Sequence, residues 1–359
     1  MQALYLLALD PIAETTADKN SYGFRAHRSA ADAIKQCFIL LARKTSSQWI
    51  LEGDIKACFD CIDHDWLRAH IPMDKSILET WLKSGYCDKG RWFPTREGTP
   101  QGGIASPTLA NMTLDGLEHT VAQAVPKGHK AHVVRYADDF IVTGDSPDVL
   151  ESCIKPAIVN FLLLRGLELS PEKTRLSHID GGFDFLGFNV RKYKGKLLIT
   201  PARKNVSAFL ANIRELIKSH PTARTINLIQ LLNPKIRGWA NYYRHVVASH
   251  VFSYVDHRLY ETLEQWVKRR HPNKNRHRQY SRYYCQVKGD RWRFFARHHH
   301  RGVPTDVLLL RASSVKIQRH IKIQALATPY DPLYGEYFAK RLAKPPRRAF
   351  SDAGSFSAF

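Results

Sequence analysis

Acidic residues are scarce in the second half of this chain of 359 residues. Residues 191–359 carry 9 Asp+Glu against 34 Lys+Arg, whereas residues 1–190 carry 24 against 20. The net charge of +21 therefore lies behind residue 190. That imbalance excludes an acidic or neutral ligand surface there and implies a polyanion, and the many interleaved aromatics favour nucleic acid over a merely solvated face. Cysteine is sparse as well: six residues, at 37, 58, 61, 87, 153 and 285, with no framework spacing. Cys58 and Cys61 form a lone C-x-x-C without a second pair, which argues against zinc and for free thiols in a reducing, cytoplasmic setting. No apolar run reaches the roughly 18 residues of a spanning helix. The run Ala3 to Leu9 lacks a preceding basic residue and meets Asp10-Pro11 at once, so a signal peptide and a membrane partner are not expected. Apolar residues make up 44% of the chain, enough for a packed core, and the length suits two or three domains.

The chain is organised around His132-Val133-Val134-Arg135-Tyr136-Ala137-Asp138-Asp139-Phe140-Ile141-Val142-Thr143. Two β-type runs flank adjacent carboxylates, which reads as a hairpin with both charges at its bend. Such acids repel unless something cationic joins them, and Mg²⁺ takes carboxylate oxygens; on the Asp-Asp pair alone, a solvated turn is the plainer reading. Trp49 to Ile55 is a second strand and delivers Asp54 at its end. If these strands are sheet neighbours, Asp54, Asp138 and Asp139 converge, a costly arrangement unpaired but suited to two Mg²⁺ roughly 3.5–4 Å apart.

Elsewhere, residues 1–17 read as a helix, and Asn20 to Ser29 as a basic, aromatic loop. Ser29 or Asp32 could cap a helix running to Ala42. The basic side chains at its mouth suit a triphosphate or, equally, a solvated cap. Glu97 to Pro107 is a Gly/Pro loop that lets backbone approach a ligand, and helices are expected over 108–125 and 147–166. Alternating helices and strands up to residue 200 indicate a mixed α/β sheet domain. From residue 202 the period turns helical: Val206, Phe209, Leu210, Ile213, Leu216 and Ile217 share a face, a second helix precedes Pro234, a third carries Ile236 to Tyr243, and a fourth spans 251–269. Residues 268–301 are crowded with cations and rings. Lys268, Arg269, Arg270, Arg276, Arg278, Arg291 and Arg293 are the expected nucleic-acid contacts, with His298-His299-His300 read as further basic surface. From Lys344 the chain reads as a disordered tail.

Gly53-Asp54 to Phe59, Thr99-Pro100-Gln101-Gly102-Gly103, Tyr136-Ala137-Asp138-Asp139, Leu169 to Thr174 and Phe185-Leu186-Gly187-Phe188 resemble, in order, the palm motifs of reverse transcriptases. Ser21 to Ser29 resembles the fingers motif before them. Ile236-Arg237-Gly238-Trp239-Ala240-Asn241-Tyr242-Tyr243 resembles the thumb, or maturase-specific domain, of bacterial group II intron-encoded proteins. The resemblance covers about residues 1–340. It implies an α/β (α+β) right-hand polymerase palm with partial fingers over 1–200. An all-α basic thumb/maturase domain would follow over 201–300, then a basic extension over 301–343 and a tail over 344–359.

The resemblance also implies an RNA-directed DNA polymerase and maturase working in the bacterial cytosol. Its partners would be group II intron RNA, an RNA template with a DNA primer, and dNTPs; it does not define an oligomeric state. Asp54, Asp138, Asp139 and the Ile55 carbonyl would hold two Mg²⁺. Phe59 would lie under the sugar and exclude a 2′-OH, while Gln101 and Gly102 would contact nucleotide and template. Arg25 and Arg28 would lie by the triphosphate, Lys173 would donate a proton to pyrophosphate or neutralise it, and Leu186 and Gly187 would form the primer grip. Ala26 stands where the family usually has Pro. The chain begins inside the fingers, so the first fingers motif is expected to be missing, which gives an alternative reading: an RNA-binding maturase or remnant without polymerase activity. With no Cys-rich H-N-H nuclease after Phe338, DNA cleavage is not expected.

Overall fold

The computed structural model describes residues 1–88, 90–93, 95, 97–99, 102–287, 290–300 and 303–343. The tail over 344–359, expected to be disordered, lies outside the described residues, as does Gln101.

A four-stranded antiparallel sheet positions the acids, in the order Ala131–Tyr136, Asp139–Gly144, Trp49–Asp54, Arg175–His178. Side chains alternate across a strand, and each face of this sheet is buried in its own core. Ile50, Val134 and Ile141 point into one core, where they meet the helix Ala30–Leu41 and the C-terminal helices. Leu51, Val133, Phe140 and Val142 point into the other, against helices Ser106–Leu114, Leu117–Ala124 and Lys155–Leu163. Burial on both faces explains the adjacent apolar pairs Ile50-Leu51, Val133-Val134 and Ile141-Val142.

A second antiparallel sheet, Phe183–Phe185, Phe188–Tyr193 and Lys196–Pro201, leads into helices Arg203–Lys218, Thr225–Tyr243, Ser249–Arg270 and Arg276–Tyr283. The break expected at Pro234 is absent: one helix runs through it, held by buried Leu232 and Ile236 on the flanking turns. The helix expected over 108–125 is instead two, parted at Asp115-Gly116, where Gly116 has φ +94. That over 147–166 contains a π turn at Leu150–Ile154.

The helical expectation also stops short at the C-terminal side. Strands Tyr284–Val287, Asp290–His300 and Val303–Leu308 form a third antiparallel sheet. The boundary expected at residue 300 therefore falls between paired strands, and the helical unit ends at Tyr283. Beyond it the chain turns back over the N-terminal loop. Asp32, whose side chain is 1% exposed, accepts from Ser29 N (3.0 Å), His320 Nε2 (2.8 Å), Ile323 N (2.7 Å) and Arg341 Nη2 (3.1 Å). Burial alone would raise the pKa of Asp32, yet the bonds from His320, Ser29 and Ile323 lower it.

Candidate active site

Asp54 and Asp139 are direct partners across the antiparallel pair Trp49–Asp54 and Asp139–Gly144. Asp139 also faces Tyr136 across the hairpin, so Ala137-Asp138 is its two-residue bend, with Ala137 at φ +57. The strands thus bring all three predicted acids to one end of the sheet. Burial of its carboxyl group, the neighbouring charge of Asp138 and a hydrogen bond shared with Asp54 raise Asp139 to about 6. Lys173 Nζ lies 2.8 Å from Asp54 Oδ2. The hydrogen bond and charge of Asp54 raise the pKa of Lys173 in turn. Its position is set by the turn Ser170 to Thr174, tied to the end of the strand through Ser170 N to Asp54 O at 2.8 Å. Ile55 is buried and bridges Leu169.

Among the described residues no group of three or more His, Cys, Asp or Glu side chains is arranged to hold a metal ion. The ammonium of Lys173 already supplies a cation at Asp54. The donor set still suits a hard divalent ion: three carboxylates, with burial and the charge of Asp138 raising the pKa of Asp139, a cost that a bound cation would relieve.

Beneath the bend lies a buried polar node that the motifs did not announce. Arg135 is 1% exposed, and its Nη2 meets Asp115 Oδ1 at 2.7 Å. Its Nη1 donates to Asn111 Oδ1 (3.2 Å) and to the Ala137 carbonyl (3.3 Å) inside the bend. Asn111 Nδ2 in turn donates to Gly23 O at 2.8 Å. Gly23 packs so closely that a Cβ there would fall 2.3 Å from Ala137 N. The guanidinium therefore props the bend that carries Asp138. The one sequence signal was an arginine within the apolar strand Val133 to Tyr136, since a buried cation demands partners.

A model of the reverse transcriptase (RNA-dependent DNA polymerase) family matches residues 1–190, and one of the group II intron maturase-specific domain matches residues 206–284. This chain belongs to the reverse transcriptase family. Protein YkfC of Escherichia coli (strain K12) is 29% identical over 237 residues, 55% of this chain and 61% of that protein. Group II intron-encoded protein LtrA of Lactococcus lactis subsp. cremoris is 26% identical over 340 residues, 68% of this chain and 56% of that protein. The chain thus spans somewhat more than half the length of these relatives. Among solved structures, apo telomerase from Candida tropicalis aligns with a TM-score of 0.44 at 13% identity, covering 77% of this chain and 52% of that one.

The other predicted residues fall into distinct groups. Phe59, half-buried on the short helix Cys58–Cys61, sets its ring against exposed Phe24 at 6.0 Å. The Gly/Pro loop is tied to it through Thr99 N to Phe59 O at 2.6 Å. Gly102 is exposed at φ +87. Leu186 and Gly187 turn the hairpin with φ +51 and +79, and their carbonyls accept from Tyr242 OH (2.9 Å) and Tyr243 OH (3.2 Å). A Cβ on Gly187 would lie 3.1 Å from that Tyr243 oxygen. The tyrosines at the end of Thr225–Tyr243 thus clamp the predicted primer-grip turn.

Arg25 and Arg28 do not stand free for a triphosphate, as had been expected. Arg25 Nε and Nη2 fork onto the Glu14 carboxylate at 3.1 and 2.9 Å, and Nη1 donates to the carbonyls of Asp18 and Ser21. Arg28 donates to the carbonyls of Lys19 (3.0 Å) and Ala325 (2.8 Å). Both fasten the loop through these bonds to the Glu14 carboxylate and to backbone carbonyls. In the basic half, Arg269 and Arg278 are exposed. Lys268 and Arg276 share Glu264 at 3.4 and 3.3 Å. Arg270 donates to Ala223 O, and Arg293 donates to Leu309 O at 3.0 Å, so these two act within the fold. The side chains of Arg291 and His298 to His300 lie outside the described residues.

Proposed function

We propose that this chain is the RNA-directed DNA polymerase and maturase of a group II intron, acting in a bacterial cytosol on an RNA template, a DNA primer and dNTPs. The observation that carries the reading is the in-register pairing of Asp54 with Asp139 at the Ala137-Asp138 bend, in a chain of the reverse transcriptase family. Asp54, Asp138, Asp139 and the Ile55 carbonyl would hold two Mg²⁺, which when bound stabilise the attacking and leaving oxygens of an in-line displacement. The chain's own groups position and neutralise. Arg135 fixes the bend that presents Asp138. Lys173, already ion-paired at Asp54, is placed to turn to the departing pyrophosphate as a proton donor or neutraliser. Phe59 supports the sugar from below, with Gln101 and Gly102 beside nucleotide and template. Leu186 and Gly187, clamped by Tyr242 and Tyr243, grip the primer. Lys268, Arg269, Arg276 and Arg278 meet phosphates, with intron RNA as the partner of residues 201–343.

Primer extension by the purified full chain tests this, with an RNA template, DNA primer, dNTPs and Mg²⁺. Incorporation that Asp138→Ala abolishes is the expected result. Tight RNA binding without incorporation by the wild-type chain would overturn the polymerase reading.

A further inference from the structure

A cavity of about 410 Å³ opens between the helix Ser249–Arg270 and the sheet that follows it. Its walls are apolar and aromatic, with Leu259, Leu263, Tyr284 and Phe294 among them, and Trp292 at its edge is 50% exposed. Trp292 has φ +70, a left-handed backbone that bulky side chains rarely adopt and that marks stored strain. The ring is held there by an edge-on contact with Tyr280 (centroids 4.6 Å, 85°), which itself stacks on Tyr284 (5.0 Å, 28°). A ladder of rings thus ends in a half-exposed indole beside an apolar slot.

The slot is lined by charges of both signs, with cations in excess: Arg293 and Arg311 against Asp256. Arg276 adds a further cation nearby, lying over the Tyr280 ring at 5.1 Å. An occupant that matches both features is a flat, polarisable ring carried on an anionic backbone. We propose that this cavity receives an unpaired base of a bound RNA strand, stacked on Trp292. The proposal rests on the RNA-binding reading above and adds to it a base-holding site apart from the phosphate contacts. Single-stranded RNA offers such bases to aromatic side chains, whereas a continuous duplex keeps them stacked within itself.

The test compares the full chain with Trp292→Ala and Trp292→Phe, using a labelled single-stranded RNA oligomer and a blunt RNA duplex of equal length across a salt series. Loss of one stacking platform weakens single-strand binding by about tenfold. Duplex binding and the slope of affinity against salt stay unchanged in Trp292→Ala, because no phosphate contact is lost. Trp292→Phe keeps most of the affinity. Since the indole is half-exposed on a strained backbone, both variants melt at or near the wild-type temperature. The proposal fails if Trp292→Ala binds the single strand as tightly as wild type, or loses affinity for both RNAs alike. A wild-type chain that binds neither RNA overturns the RNA-binding reading and this site with it.

Discussion

The acidic end of the first sheet and the basic surface behind residue 190 encode function differently. In the sheet, chemistry depends on placement: Asp54 opposes Asp139 through one register, and a one-residue slip would turn its side chain to the other face. In the basic half, function depends on a sum. Some cations, such as Arg270 and Arg293, are occupied within the fold, while Arg269 and Arg278 are open to solvent. A placed group cannot be replaced by its neighbour, whereas a summed one can.

Breaking that contrast at its strongest point means removing Asp138. Asp138→Ala should lower primer extension by about a thousandfold or more, because metal-centred charge stabilisation amounts to several kcal/mol. Its melting temperature should hold or rise, since a like charge leaves a crowded corner. A modest loss of activity would make the sheet end as redundant as the basic face.

Arg135 sharpens the same comparison in stability. Arg135→Met strands the Asp115 carboxylate, a broken buried pair that costs about 3–5 kcal/mol, read by urea denaturation. Arg269→Met, at an exposed site, should stay within about 0.5 kcal/mol. Equal effects would show that the node under the bend bears no weight.

The acidic corner also predicts a pH dependence. Asp139 is raised from 3.8 to about 6, so the folded chain holds that proton more tightly than the unfolded chain does. Folding then takes up a proton between these values, and the metal-free protein loses stability as pH rises through that window. Asp139→Asn should flatten this segment of a melting-temperature profile, and Mg²⁺ should restore stability at its upper end. A profile unchanged by the substitution would contradict the crowding of charge.

The smallest effects belong to the summed surface. Arg269→Ala and Arg278→Ala should each reduce the slope of log affinity against log salt by about 0.7 on single-stranded RNA. A slope that does not change would remove these two from the phosphate contacts.

What the sequence disclosed follows the same division. The three acids were legible because each ends or interrupts a short β-type run, a local pattern that survives folding. Arg135, Asp115, Asn111 and Gly23 were not, because their contacts join residues 20 to 88 positions apart. Arg25 looked like an anion ligand because nothing local reveals that Glu14, 11 residues away, takes its guanidinium. The strands after Tyr283 were hidden for another reason: their dense cations and rings show no clean alternation of polar and apolar side chains. There the pairing of strands, rather than local pattern, decides the structure.

The central claim is that paired strands assemble a divalent-ion site from Asp54, Asp138 and Asp139. Titration of the full chain with Mn²⁺, followed by the paramagnetic signal of free ion, tests it in wild type and Asp54→Asn. The account predicts saturable binding that weakens by at least about tenfold in the variant. Equal Mn²⁺ affinity in both proteins would contradict it.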